Sequence, residues 1–170
     1  MNINPADYGE HNAGSHLPIL LRALDLSEKG DVLELGLGTY STPVLHWICS
    51  IQNRRLVSYE NNEKYFNEFI KWKKDFHEIY LAKDLSTVDI TSNHWSVVLV
   101  DQKPTEKRKN SIKRLANNAD YIIAHDSEPE KDKYYKYSWV YRFFKYRYDY
   151  VKYLPHTTVL SNFINLDILK

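Results

Sequence analysis

Five short apolar runs, each carrying or closing on a carboxylate, constrain this chain more than any other feature. DVLEL (31–35) holds Glu34, and LVSYE (56–60) ends at Glu60. HEIYLAKD (77–84) ends at Asp84, VVLVD (97–101) at Asp101 and YIIAHD (121–126) at Asp126. Runs this short and this rich in Val, Ile, Leu and Tyr read as strands buried on both faces. The segments between them carry apolar residues at helical spacing, such as Phe66, Phe69 and Ile70, then Ile112 and Leu115. Strands alternating with helices make a mostly parallel sheet covered on both sides, a three-layer α/β sandwich.

The expected elements can be placed along the chain. A helix is expected over His16–Leu26, and another begins at Pro43 with Thr42 as its cap. Two more span Glu63–Asp75 and Glu106–Asn117. The strands are Asp31–Leu35, which should lie centrally, then Arg55–Tyr59, His77–Ala82, Val97–Val100 and Tyr121–Ala124. Residues 1–15 read as an arm or lid. Residues 131–170 read as edge strands and a candidate subunit interface. Within them, Trp139–Phe144 suggests a turn of helix. Tyr148–Tyr153 and Thr157–Phe163 suggest an antiparallel pair closing the sheet, with Pro155 in the turn. The 170 residues are expected to form one domain.

The charges nearly cancel, at +1, so the overall balance asks for neither nucleic acid nor an anionic membrane. Cys49 is the only cysteine and is expected in the core, which excludes an internal disulfide and a cysteine-based zinc cluster. No apolar run approaches the roughly 20 residues that span a bilayer. A soluble, cytoplasmic protein is the expectation.

In open parallel sheets, ligands bind beyond the carboxyl ends of the strands. The first strand ends there in Glu34, Gly36 and Gly38, two of only five glycines in the chain, and Ser41 follows. Such a turn serves either a tight strand-to-helix connection or a ligand lying against main chain and helix N–H groups. Glu60 stands about 20 residues further on, the spacing at which a carboxylate meets ribose hydroxyls. Together they point to a ligand containing a nucleoside. A third glycine, which dinucleotide folds carry, is replaced by Ser41, and no phosphate-loop lysine follows the glycines.

The pattern E-x-G-x-G-x-x-S (Glu34 to Ser41) resembles the first motif of class I S-adenosylmethionine (SAM) methyltransferases. The resemblance continues in order through LVSYE, the LAKD segment and VVLVDQ, over about residues 16–128. It implies a Rossmann-like fold and a cofactor site. Gly36 and Gly38, with Ser41 beside them, would border the methionine part and Glu34 its amino end. Glu60 with Asn61 would take the ribose, Asp84 with Leu85 would border the adenine, and Asp101 would sit at the reacting centre. Catechol- and caffeoyl-type O-methyltransferases are similar in one further detail, a divalent-cation site after strands four and five. Asp101 and Asp126 match it, with magnesium as the implied ion, although His125 and Glu128 depart from the Asp-Asn pattern. VDQKPTEKR also looks like a small methyltransferase-like group in which an aspartate and a proline precede an arginine.

The resulting expectation is a SAM-dependent methyltransferase acting on oxygen or nitrogen of a small-molecule acceptor, with Asp101 as the catalytic residue. One alternative is an RNA-directed enzyme using the basic, aromatic stretch 131–152, since rings stack on bases and cations hold phosphates. Against it, Tyr146, Tyr148 and Tyr150 alternate with Lys145, Arg147 and Asp149, as an amphipathic strand does. Another is a non-catalytic nucleoside-binding or interaction protein. A homodimer that completes the acceptor pocket is a further expectation. Plainer roles stand beside the functional ones. Asp84 and Asp101 also suit caps, and His11 and His16 suit ordinary polar positions.

Overall fold

A computed structural model describes residues 14–27 and 29–170. The expected arm at 1–15, with His11, therefore lies outside the described residues except for Gly14 and Ser15.

Seven strands form one sheet: β1 (Asp31–Leu35), β2 (Leu56–Glu60), β3 (His77–Leu81), β4 (Trp95–Val100), β5 (Ala119–His125), β6 (Tyr146–Tyr150) and β7 (Thr157–Ser161). Their order is β3-β2-β1-β4-β5-β7-β6. The first five are mutually parallel, while β7 runs antiparallel to both β5 and β6. The chain thus has the expected Rossmann-like α/β sandwich with an antiparallel edge. β1 lies inside the sheet, between β2 and β4, and the strand order reverses there. A crevice opens at such a reversal.

Alternation along each strand divides the core into two layers. Val32, Leu56, Val97, Leu99 and Ile123 meet the helices α1 (Leu17–Leu26) and α2 (Ser41–Gln52). Leu33, Val57, Val98, Val100 and Ile122 face α4 (Arg108–Leu115), α5 (Asp132–Tyr135) and α6 (Tyr137–Tyr141). A smaller cluster of Leu37, Phe69 and Ile79 seats α3 (Glu63–Phe69). Burial on both sides is why the strands read as nearly unbroken apolar runs. Cys49 is buried, as expected.

Several boundaries move. α2 begins at Ser41 rather than Pro43, because Ser41 and Thr42 turn inward onto Glu34 instead of capping. α3 stops at Phe69 and tightens into a 3₁₀ turn over Ile70–Trp72. Its amino end is closed by the Asn62 side chain, which accepts from the Lys64 and Tyr65 amides. The strand β6 sits two residues earlier than expected, with Tyr146, Tyr148 and Tyr150 half-buried and Arg147 and Asp149 exposed. Arg147 stacks on Tyr141, 3.8 Å from the ring centre, and Lys145 on Tyr146. Much of the aromatic and basic texture is therefore satisfied within the edge itself.

Candidate functional site

A cavity of about 510 Å³ opens at the strand reversal, within the usual range for small-molecule sites. It is bounded by the 36–41 loop after β1, the ends of β2, β4 and β5, and by His16 and Pro155.

Gly36 has a φ of +95°, and a Cβ there would come within 2.8 Å of the Asp101 and Gln102 main chain. It is glycine because the loop turns in the left-handed region and crosses the end of β4. The following amides are then taken in order. Gly38 N donates to Thr42 Oγ1 (2.9 Å), and Leu37 N donates to Glu60 Oε2 (2.8 Å).

Glu60 is 5% exposed and lines the cavity. Its Oε1 accepts from the Asn61 and Asn62 amides (2.8 and 2.6 Å). A carboxylate offers about four acceptor positions, so three main-chain bonds leave one, on Oε2, for a ligand.

Glu34, expected at the amino end of the ligand, is absent from the cavity lining. Alternation turns it to the α2 side of the sheet, where it has no exposed surface. Its Oε1 accepts from Ser41 Oγ (2.7 Å) and Thr42 Oγ1 (2.9 Å), and its Oε2 from Ser58 Oγ (2.7 Å). Burial raises its pKa to about 7 against those three hydrogen bonds. Glu34 does not reach the cavity; it braces the loop from behind. Ser41 lines the cavity but spends its hydroxyl proton on Glu34.

Asp101 directly follows β4 and lines the cavity beside His125, Asp126 and Arg108. Arg108, 2% exposed, ties the strand ends together. It pairs with Asp101 Oδ1 (2.7 Å) and Asp126 Oδ2 (3.0 Å). Its guanidinium also donates to the carbonyls of Gln102 (2.7 Å), Asp101 (3.1 Å) and His125 (3.3 Å), which uses its full donor set. Burial opposes ionisation of Asp101, but the His125 contact and the Arg108 charge outweigh it and hold the carboxyl below its ordinary pKa. Asp126 resists burial in the same way, through His125 and Arg108, and falls to about 2. His125 Nδ1 lies 3.4 Å from Asp101 Oδ2. Its Nε2 is 3.1 Å from Ser15 Oγ, whose proton goes to the Pro155 carbonyl.

Gly36, Gly38, Ser41, Glu60, Asp101 and Asp126 therefore meet around one cavity. Asn61 does not. Its side chain donates to the Lys103 carbonyl, and Asn62 takes the lining position. Asp84 and Leu85 also lie outside the lining. Asp84 is half-exposed, accepts from the Ser86 amide and pairs with Lys107 at 3.1 Å, while Leu85 packs inward. Arg108 had one sequence signal, its place after Asp101 and Pro104. Tyr65 and Lys103, which also line the cavity, had none.

The magnesium expectation is corrected by charge. Donor atoms of Asp101, His125 and Asp126 lie within 4.8 Å of one another, a spacing suited to a cation. Arg108 already bridges both carboxylates, and Lys131 sits 3.3 Å from Asp126 and 3.0 Å from Glu128. A divalent ion there would face a buried guanidinium whose bonds hold the strand ends together. These residues do not fit a resident divalent cation.

Among the described residues, no helix is long and apolar enough to cross a membrane. No family model matches the chain, and no curated protein does. Solved structures do. The METTL16 MTase domain superposes with a TM-score of 0.60 at 10% identity, over 88% of this chain and 82% of that one. Human methyltransferase 10 domain containing protein gives 0.60 at 11%, over 90% and 84%. Spermidine synthase from Thermotoga maritima gives 0.63 at 16%, over 89% of this chain and 60% of that one. At these identities the likeness establishes a fold shared with these methyltransferase domains and the synthase, and the fold alone.

Proposed function

We propose that this chain binds SAM in the cavity and transfers its methyl group to an oxygen or nitrogen of an acceptor held beside Asp101. The observation that carries the reading is Glu60, a buried carboxylate held by three amides at the cavity wall with one acceptor position left for a ribose hydroxyl. The fold, the 36–41 loop at the start of α2 and the cavity's size support it.

SAM supplies a methyl group on a sulfonium, which leaves as the neutral thioether. The protein's part is to bind and orient. Glu60 holds the ribose, and the Gly36–Tyr40 loop presents main chain to the ligand. Asp101, kept ionised by Arg108 and His125, accepts a hydrogen bond from the acceptor's N–H or O–H and aims its lone pair. In-line placement of this kind is worth several kcal/mol of barrier. The proton released by the acceptor passes to the Asp101 carboxylate and on to solvent.

A small-molecule acceptor is favoured because the cations and rings of the 131–152 edge stack on one another. RNA is the second reading. One superposed structure is the METTL16 catalytic domain in complex with an RNA hairpin. Salt-dependent RNA binding by this chain would promote that reading.

Calorimetric titration with S-adenosylhomocysteine (SAH) and SAM is the test, on the wild type and on Glu60→Ala. Binding by the wild type should weaken about tenfold or more in the variant, the loss expected for a charge-assisted hydrogen bond. A folded wild type that binds neither compound sinks the reading.

A further inference from the structure

Behind the loop, a line of buried polar groups leads away from Glu34 and is not used by the reading above. Ser58 Oγ donates to Glu34 Oε2 and lies 3.0 Å from His77 Nε2. His77 Nδ1 lies 2.9 Å from His46 Nδ1. Glu34 and Ser58 are paired across β1 and β2, His77 opens β3, and His46 is on α2. His77 has no exposed surface and His46 is 6% exposed.

Proton counting gives this line a direction. An ionised Glu34 only accepts, so Ser58 must donate to it. Ser58 has one proton, so His77 must donate from Nε2. A neutral His77 then has a bare Nδ1, so His46 must donate from its Nδ1 and keep Nε2 bare. The whole line can also reverse. A proton taken up at His46 Nε2 lets His46 Nδ1 accept from His77 Nδ1–H. His77 Nε2 then accepts from Ser58, and Ser58 accepts from a protonated Glu34 Oε2. One proton enters, every hydrogen bond survives, and the only net change is neutralisation of Glu34.

We propose that His46, His77 and Ser58 are positioning residues that form a reversible proton relay setting the charge of Glu34 beneath the cofactor loop. The surroundings favour storing the proton on Glu34. Burial, then the neighbouring ring of His46, lowers His77 to about 4. His46 is lowered by burial and then by Lys74. Glu34 stands near 7, raised by burial and, more weakly, by Asp101. The other groups packed on Glu34 are neutral: Ser41 and Thr42 from α2, and Ser58 from β2. The Cys49 thiol on α2, pushed up to about 12 chiefly by burial, also feels Glu34. The rings of Trp72 and Phe76 pack beside His46, which keeps 6% of its surface exposed. Thr42 accepts from Gly38 N while donating to Glu34, so the loop rests on a carboxylate whose charge can change without a change of shape.

Nitrogen-15 spectra of the histidine side chains test the relay directly, with no cofactor present. Between about pH 8.5 and 5.5, His46 should pass from Nδ1–H to Nε2–H and His77 from Nε2–H to Nδ1–H, both remaining neutral. Glu34→Gln places an amide N–H₂ toward Ser58 and should lock the low-pH tautomers at every pH. Tautomers that stay fixed in the wild type, or rings that become imidazolium instead, overturn the relay. The wild-type titration decides this even if the variant fails to fold. The consequence for ligand rests on the proposed function. The ratio of SAM to SAH affinity should fall several-fold from pH 8.5 to 5.5, because only SAM is cationic. A flat ratio with swapping tautomers overturns the coupling and leaves the relay. No binding of either compound at any pH overturns the cofactor reading alone.

Discussion

Glu34 on β1 and Asp126 after β5 are both carboxylates at the carboxyl ends of parallel strands, one on either side of β4, both sheltered from water, and they titrate in opposite directions. Glu34 has only hydroxyl partners, and burial lifts it to about 7. Asp126 has Arg108, Lys131 and the Tyr135 hydroxyl around it, and falls to about 2 despite burial. Burial acts alike on both. The difference lies in whether the partner brings a charge. One site has become a place to keep a proton, and the other a place that stays anionic.

The largest expected effect comes from removing the charge that separates them. Arg108→Met removes the buried guanidinium that pairs with both Asp101 and Asp126, leaving Asp126 only Lys131, and should destabilise the protein by about 3–5 kcal/mol in denaturant titration. A loss below about 1 kcal/mol would show that the guanidinium is not what holds the strand ends.

The next effect is in pH dependence. Glu34 has a folded pKa above its unfolded value. Its contribution is therefore fully present below about 4.5 and lost as pH rises through about 7. The size is up to about 3 kcal/mol. Asp126 is depressed, so its contribution is present above 3.8 and lost as pH falls toward about 2. Thermal melts across pH should show the slope between about 4.5 and 7 disappear in Glu34→Gln while the acid limb remains. If both limbs survive, Glu34 is not the group that titrates there.

The smallest effect concerns a third strand-end carboxylate. Asp84 is half-exposed and also held near 2, by the Ser86 amide and hydroxyl and by Lys107. Asp84→Asn should leave SAH affinity unchanged within about twofold, since a solvated pair carries little energy and lies outside the cavity. A larger loss in calorimetry would place the adenine against this turn after all.

What could be read in advance follows a pattern. Residues acting through chain neighbours were legible. Gly36 and Gly38 mark the loop, Glu60 and Asp101 mark strand ends, and the short apolar runs mark the sheet. Residues acting through distant partners were not. His46 and His77 are 31 positions apart and meet only because α2 and β3 pack together. Glu34 stands in the expected loop region, but strand alternation turns its side chain away from the cavity. Asn61 gave way to Asn62 for a local reason, since one peptide step at the start of α3 decides which side chain faces in.

By itself the sequence determined the order of strands and helices, the antiparallel edge and the end of the sheet where a site could form. These are matters of hydrophobic period and turn chemistry, which are local and additive along the chain. Only the tertiary structure decided which carboxylates are charged. That depends on solvent and counter-charges contributed by residues remote in the chain, and those terms exist only once the layers have closed.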